Sequence, residues 1–182
     1  MTMKTLMKWA IADYHRLIEL DVFANRQVEL LAGEIIAMPP EGAIHAYTND
    51  GISTYLRQLL TNKAWIREAH PITLTDSEPQ PDITICRLPR QLYRDRHPYP
   101  EDLYWLIEIS QSTLDYDLID KKRVYAQARI QEYWVVDINH RQLFCFRQPE
   151  GMSYQQESCL TDGVIYPLTF PELAISVNKF WD

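Results

Sequence analysis

Residues 104–110 read Tyr104-Trp105-Leu106-Ile107-Glu108-Ile109-Ser110. A nearly all-apolar run of this length, rich in β-branched and aromatic residues, marks a central strand covered on both faces. A second such run, Glu132-Tyr133-Trp134-Val135-Val136-Asp137, follows it. Between them, about Leu114 to Ala128 has helical periodicity, and Ser112 or Thr113 can cap its start. The strand–helix–strand order predicts an α/β sandwich around a mixed sheet.

The flanks extend this pattern. Trp9 to Leu20 has partial helical spacing. Gln27–Leu31 and Glu34–Met38 flank Ala32-Gly33 as a β-hairpin. A helix is expected from about Ala43 to Leu60. Trp65–Ala69, Ile72–Thr75 and Pro81–Cys86 read as strands, the last with proline at its start, where the missing N–H does least harm. Leu143–Phe146 and Val164–Ile165 predict a hairpin-rich tail. No repeat or linker divides the 182 residues, so one domain over 1–182 is expected.

The bulk numbers are those of a globular chain, with 46% hydrophobic and 24% charged residues. No apolar run approaches the ~20 residues of a membrane span. Met1 to Lys8 lacks the core and cleavage site of a signal peptide. Cys86, Cys145 and Cys159 are odd in number and widely spaced, which reads as reduced thiols in the cytoplasm. The net charge of -7 weighs against a large non-specific nucleic-acid surface. The basic residues Arg87, Arg90, Arg94, Arg96 and His97 do cluster, as either a solvated loop or a phosphate-contacting one.

Three residues stand out chemically. Glu108 interrupts a strand that should be buried; an uncompensated carboxylate there costs several kcal/mol, so it must be paired, protonated or metal-bound. Asp82 opens a neighbouring strand, and hard cations such as Mg²⁺ favour one or two carboxylates plus water. Lys121 falls inside an apolar helical stripe. At about 100° per residue from Leu118, Tyr125 lies near -20°, Lys121 near -60°, Ala128 near -80° and Val124 near -120°. Lys121, not Lys122, should therefore face the sheet, where a fixed charge can orient a water or stabilise a pentacovalent phosphate. The alternatives are a structural salt bridge for Glu108, a turn role for Asp82 and a snorkelling Lys121. Glu29, Glu34 and His45 are accessory candidates for a metal shell or proton shuttle, against ordinary roles as surface carboxylates and a satisfied histidine. Asp137 reads as structural. Trp105, Tyr133, Trp134, Phe144 and Phe146 read as core rather than as a base-stacking platform. No Gly-rich phosphate loop, nucleophile elbow or zinc spacing is present, and no organic cofactor is expected.

Ile107-Glu108-Ile109-Ser110-Gln111-Ser112-Thr113, Tyr116-Asp117, Lys121, Tyr125-Ala126-Gln127-Ala128 and Glu132–Asp137 together resemble the Uma-type restriction endonuclease family of the PD-(D/E)xK nuclease superfamily. Val28–Met38, His45 and Pro81-Asp82 extend the resemblance. It implies a restriction-endonuclease-like mixed β-sheet flanked by helices, with an N-terminal helix and hairpin and a β-rich C-terminal tail. It implies Asp82 and Glu108 as metal carboxylates for Mg²⁺ or Mn²⁺, the Ile109 carbonyl as a further ligand, DNA as substrate and a homodimer. The superfamily usually places its lysine two residues after the glutamate; here that place is Ser110, and Lys121 on the following helix takes the role. Gln111 and Gln131 stand where the family tends to have proline, and Arg129 where it tends to have glycine, which affects turns rather than chemistry. Two other readings compete with a DNA endonuclease. One is a catalytically silent module binding nucleic acid or a protein; the other is a structural dimer whose Glu108–Lys121 pair is only a salt bridge.

Overall fold

The computed structural model describes residues 6–24 and 26–182, so most of the stretch read for a signal peptide lies outside the described residues. The elements in chain order are α1 (Ile11–Glu19), β1 (Val28–Leu31), β2 (Glu34–Ala37), α2 (Ala43–Leu59), β3 (Trp65–Glu68) and β4 (Ile83–Cys86). Then come β5 (Leu103–Ser110), a π-helical turn (Tyr116–Lys121) running into α3 (Lys122–Gln127), β6 (Glu132–Asp137), β7 (Gln142–Glu150) and β8 (Ser153–Leu160), with the short strands β9 (Val164–Ile165) and β10 (Ile175–Ser176) closing the tail.

Six strands form a sheet in the order β3-β4-β5-β6-β7-β8. β5 and β6 are parallel, joined by the crossover helix as a βαβ unit. Every other neighbouring pair is antiparallel. The mixed sheet expected from the sequence is therefore present, and β5 is buried on both sides. Trp105, Ile107, Ile109, Trp134 and Val136 face one core with α2 and the C-terminal tail. Leu106, Tyr133 and Val135 face another with α3. Because strand side chains alternate, Glu108 and Ser110 point to the α3 side. Trp105, Tyr133, Trp134 and Phe146 are core residues.

The hairpin turns at Ala32 (φ 49°) and Gly33 (φ 75°), the pair of positive φ values that a two-residue type I′ turn needs. A Cβ on Gly33 would also lie 2.9 Å from the Lys8 Cβ. Arg129 takes φ 59° just after α3, the left-handed helix end that suits glycine best.

Two expectations need correction. Ile72–Thr75 is not a strand. Its side chains alternate because Ile72 and Leu74 are buried, but its N–H groups go to loop carbonyls: Ile72 to Pro79, Thr73 to Pro98 and Leu74 to Ser77. Alternation encodes burial, and a ladder also needs a partner strand. The Leu114–Ala128 helix is not α throughout, since Tyr116–Lys121 widens to π geometry. Thr113 caps no backbone N–H; its hydroxyl donates to Asp117 Oδ2 at 2.8 Å.

The tail is pinned to the sheet by a buried charge. Glu132 is fully buried in β6. Its carboxylate accepts from Arg147 Nη2 at 2.6 Å, from the Trp134 indole N–H at 2.9 Å and from the Leu168 N–H at 2.7 Å. Arg147 also donates to the Tyr166 carbonyl at 2.6 Å. Arg147→Met should therefore strand a buried carboxylate and lower stability by about 3 kcal/mol. Urea unfolding should show this as a lower midpoint, partly recovered when Glu132→Gln is added.

Candidate active site

The C-terminal end of β5, the start of β4, the β1 strand and the π turn converge on one cleft of about 1100 Å³. At its floor Glu108 is 2% exposed and Lys121 4% exposed. Lys121 Nζ lies 3.1 Å from Glu108 Oε1, 3.7 Å from Glu29 Oε1 and 3.9 Å from Asp117 Oδ1. The Tyr125 hydroxyl donates to Glu108 Oε1 at 2.6 Å. Glu29 is held by the Tyr116 hydroxyl at 2.9 Å and by the Gln80 N–H at 3.0 Å. Asp117 accepts from Ser110 Oγ at 2.7 Å as well as from Thr113. The π turn itself is fastened to the sheet, since the Tyr133 hydroxyl donates to the Asp117 carbonyl at 3.0 Å. π turns inside helices occur often at functional sites; this one carries Asp117 and Lys121 onto the same buried face.

Asp82 lies one residue before β4, with its side chain 20% exposed. Its Oδ2 accepts from the Ile109 N–H at 2.6 Å and faces His45 Nε2 at 3.3 Å. The other ring nitrogen of His45 meets Glu41 at 2.9 Å.

The neighbouring Ile109 carbonyl owes its freedom to a proline. The β4–β5 register pairs Ile83 with Ile107, and one rung further it sets Pro81 opposite Ile109. The Ser110 carbonyl accepts from the Ile138 N–H on the β6 side, so alternation turns the Ile109 carbonyl to the β4 side. There Pro81 has no N–H to give.

The electrostatics are unbalanced. Burial pushes the Glu108 carboxyl well above the usual carboxylate range; Lys121 pulls it back, and Asp82 and Asp117 push it further. Burial also raises Asp117. Burial opposes the Lys121 charge, but Glu108, Glu29, Asp117 and Asp82 outweigh it and hold the ammonium well above the ordinary lysine range. Burial likewise opposes a charged His45, yet Asp82 and Glu41 raise it to about 9. Three carboxylates thus stand within 4 Å of one ammonium, and burial disfavours the ionised form of two of them, Glu108 and Asp117.

The structure brings together Asp82, Glu108, Lys121, Glu29, His45 and Ile109 from the residues singled out in the sequence. It does not bring in Glu34, which is half-exposed and pairs with Lys8 at 2.6 Å. Nor does it bring in the arginine stretch. Cys86 lies against Leu103, and Glu108 is five residue steps along β5 from Leu103, about 17 Å of strand. There Arg87 packs over Tyr104 and Arg90 over Trp65, Arg96 pairs with Asp102 at 2.5 Å, and Arg94 projects into solvent. None of them lines the cleft. Sequence reasoning passed over Asp117, Tyr116 and Tyr125. Asp117 did carry a signal, standing four residues before Lys121, the spacing of a helical ion pair.

The donor set fits a hard divalent cation. Asp82 and Glu108 approach each other across β4 and β5, the Asp82 N–H lying 3.4 Å from Glu108 Oε2, and the Ile109 carbonyl stands beside them. Among the described residues no three His, Cys, Asp or Glu side chains form a ready metal cage. Mg²⁺ does not need one, since it commonly takes one or two carboxylates and completes its shell with water and phosphate oxygen.

Comparison with known proteins agrees with this architecture. A solved structure described as a putative nuclease belonging to DUF820, from Anabaena variabilis, superposes with a TM-score of 0.73 at 18% identity, covering 94% of this chain and 97% of that one. At that identity the likeness is one of fold. No curated protein matches the chain. Residues 11–178 match the family model "Uma2: Putative restriction endonuclease", and the chain belongs to the Uma2 family.

Proposed function

We propose that this chain is a metal-dependent endonuclease that hydrolyses phosphodiester bonds in DNA, using Mg²⁺ or Mn²⁺ at Asp82, Glu108 and the Ile109 carbonyl. The observation that carries this reading is the buried excess of negative charge around Lys121, which a divalent cation at the cleft floor would neutralise. Bound there, the cation supplies a Lewis acid for the phosphate oxygen and an acidified water.

The chain's own residues do the rest. Lys121 keeps its proton, so it acts as a fixed cation rather than a base. It steadies the attacking oxygen and the charge that builds on the phosphate. Glu29 and Asp117 hold the ammonium in place, and Tyr125 fixes the Glu108 carboxylate from behind. His45, clamped between Glu41 and Asp82, orients the Asp82 carboxylate. The acidity of the cleft also supports a second reading, a silent nuclease-fold module that binds a partner without cutting. Metal-dependent cleavage separates the two.

Supercoiled plasmid should be cut in Mg²⁺ or Mn²⁺ and spared in EDTA. Glu108→Gln and Lys121→Met should each slow cutting by about 10²-fold or more, with circular dichroism unchanged; uncut plasmid under every condition would favour the silent module. Cation binding should also release protons, because the metal takes the ionised Glu108 carboxylate while burial favours its protonated form. Calorimetry in two buffers of different ionisation enthalpy should show that release. Affinity should rise with pH until Glu108 is ionised without metal, and level off above that.

A further inference from the structure

The two sides of the cleft differ in chemistry. Its floor holds the carboxylates and Lys121. The hairpin exit and the start of the crossover helix add an apolar strip, Ile36, Met38, Pro39, Pro40, Leu114 and the ring of Tyr116, set among the polar Glu41, Gln111, Ser112, Thr113 and Asp115. Among the described residues lining the cleft, the only cationic side chains are Lys121 and His45, and both are already engaged by carboxylates. The arginines of the 87–96 stretch lie at the far end of the sheet, and Arg26 stands beside the lining residue Gln27 without lining the cleft itself.

This distribution bears on the substrate. An intact duplex offers an approaching protein mainly phosphates and sugars, and proteins hold it with arginine and lysine. Among the described residues lining the cleft no cation is free for that purpose, and the six carboxylates (Glu29, Glu41, Asp82, Glu108, Asp115 and Asp117) oppose a run of phosphates. An apolar strip beside the scissile phosphate offers binding energy only to something apolar and flat. In a duplex the bases are stacked inside and cannot reach it. In an unpaired strand they are splayed and available, and packing of a base face on these side chains adds an affinity that an intact duplex cannot gain here. The cleft volume, about 1100 Å³, is also on the scale of a small-ligand pocket, roughly 300–1,000 Å³.

We infer that the cleft seats an unpaired nucleobase against the Ile36–Met38–Leu114 strip, so that the preferred substrate is single-stranded or locally unpaired nucleic acid. Met38 suits this role, since its unbranched thioether adapts to bases of different shape. The inference rests on the nuclease reading and narrows its substrate.

The test uses the full chain with Mn²⁺ and 5′-labelled strands of one sequence. The arms are a single-stranded DNA, the same DNA as intact duplex, the duplex with a three-nucleotide bulge, and the matching single-stranded RNA. Single strands and the bulged site should be cut about tenfold faster than intact duplex, the size of effect that loss of one stacked base produces. The DNA and RNA arms show which sugar is accepted. Met38→Ser and Leu114→Ser should each reduce the preference for the unpaired strand several-fold. Duplex cut as fast as single strand, or a preference unmoved by both substitutions, overturns the inference while the nuclease reading stands. If nothing is cut, the nuclease reading fails, and fluorescence anisotropy in Ca²⁺ decides the cleft separately. Tighter binding of the single strand then upholds the seat for an unpaired base without a cutting role, and equal or tighter binding of the duplex overturns it.

Discussion

The cluster of Glu108, Lys121, Glu29 and Asp117 is the interaction on which the rest of the site depends. Taking one ammonium and several carboxylates out of water is costly, and their mutual attraction offsets that only when every charge has partners. Here each partner comes from a different element: Glu108 from β5, Glu29 from β1, and Asp117 with Lys121 from the turn before α3. The cluster therefore ties the hairpin, the central sheet and the crossover helix to one point. Its carboxylates outnumber its single ammonium, which is the basis for proposing a cation there.

The fold supplies the geometry by ordinary means. A parallel β5–β6 pair requires a crossover, and the crossover helix lies over the sheet face to which Glu108 points. The π turn widens the helix by part of a residue per turn and sets Lys121 directly above that face. The tyrosines of the second core, Tyr125 and Tyr133, pack in the apolar layer while their hydroxyls brace Glu108 and the π turn. Packing and positioning are thus done by the same side chains.

Much of this was legible in the sequence because it rests on period and on misfit. The runs at 104–110 and 132–137 declare buried strands, and Glu108 and Lys121 are conspicuous because their surroundings are apolar. What was illegible depends on distance in space. Ile72 and Leu74 alternate like a strand but find only loop carbonyls. Six residues are too few for hydrophobic spacing to distinguish a π turn from an α turn, so the wide turn left no trace. Glu29 and Glu34 look alike in a hairpin and share one face of it, yet Glu29 lies deep under the Tyr116 hydroxyl while Glu34 sits at the turn beside Lys8. Tyr125 reads as one more apolar residue of the stripe, since nothing in the sequence shows where its hydroxyl ends. The arginines cluster along the chain, but β5 carries them to the opposite end of the sheet from the carboxylates.

Pro81 shows how a residue with no reactive atom can govern its neighbour's chemistry. A sheet normally consumes its own carbonyl oxygens, so a strand interior offers no spare lone pairs to a ligand. By withholding one donor at the rim, Pro81 leaves the Ile109 oxygen unspent beside two carboxylates. A residue with an N–H at that place would complete the ladder and mute the oxygen. At this point of the fold one hydrogen bond fewer leaves one carbonyl oxygen more with lone pairs to offer, and the sheet's imperfection opens onto the cleft.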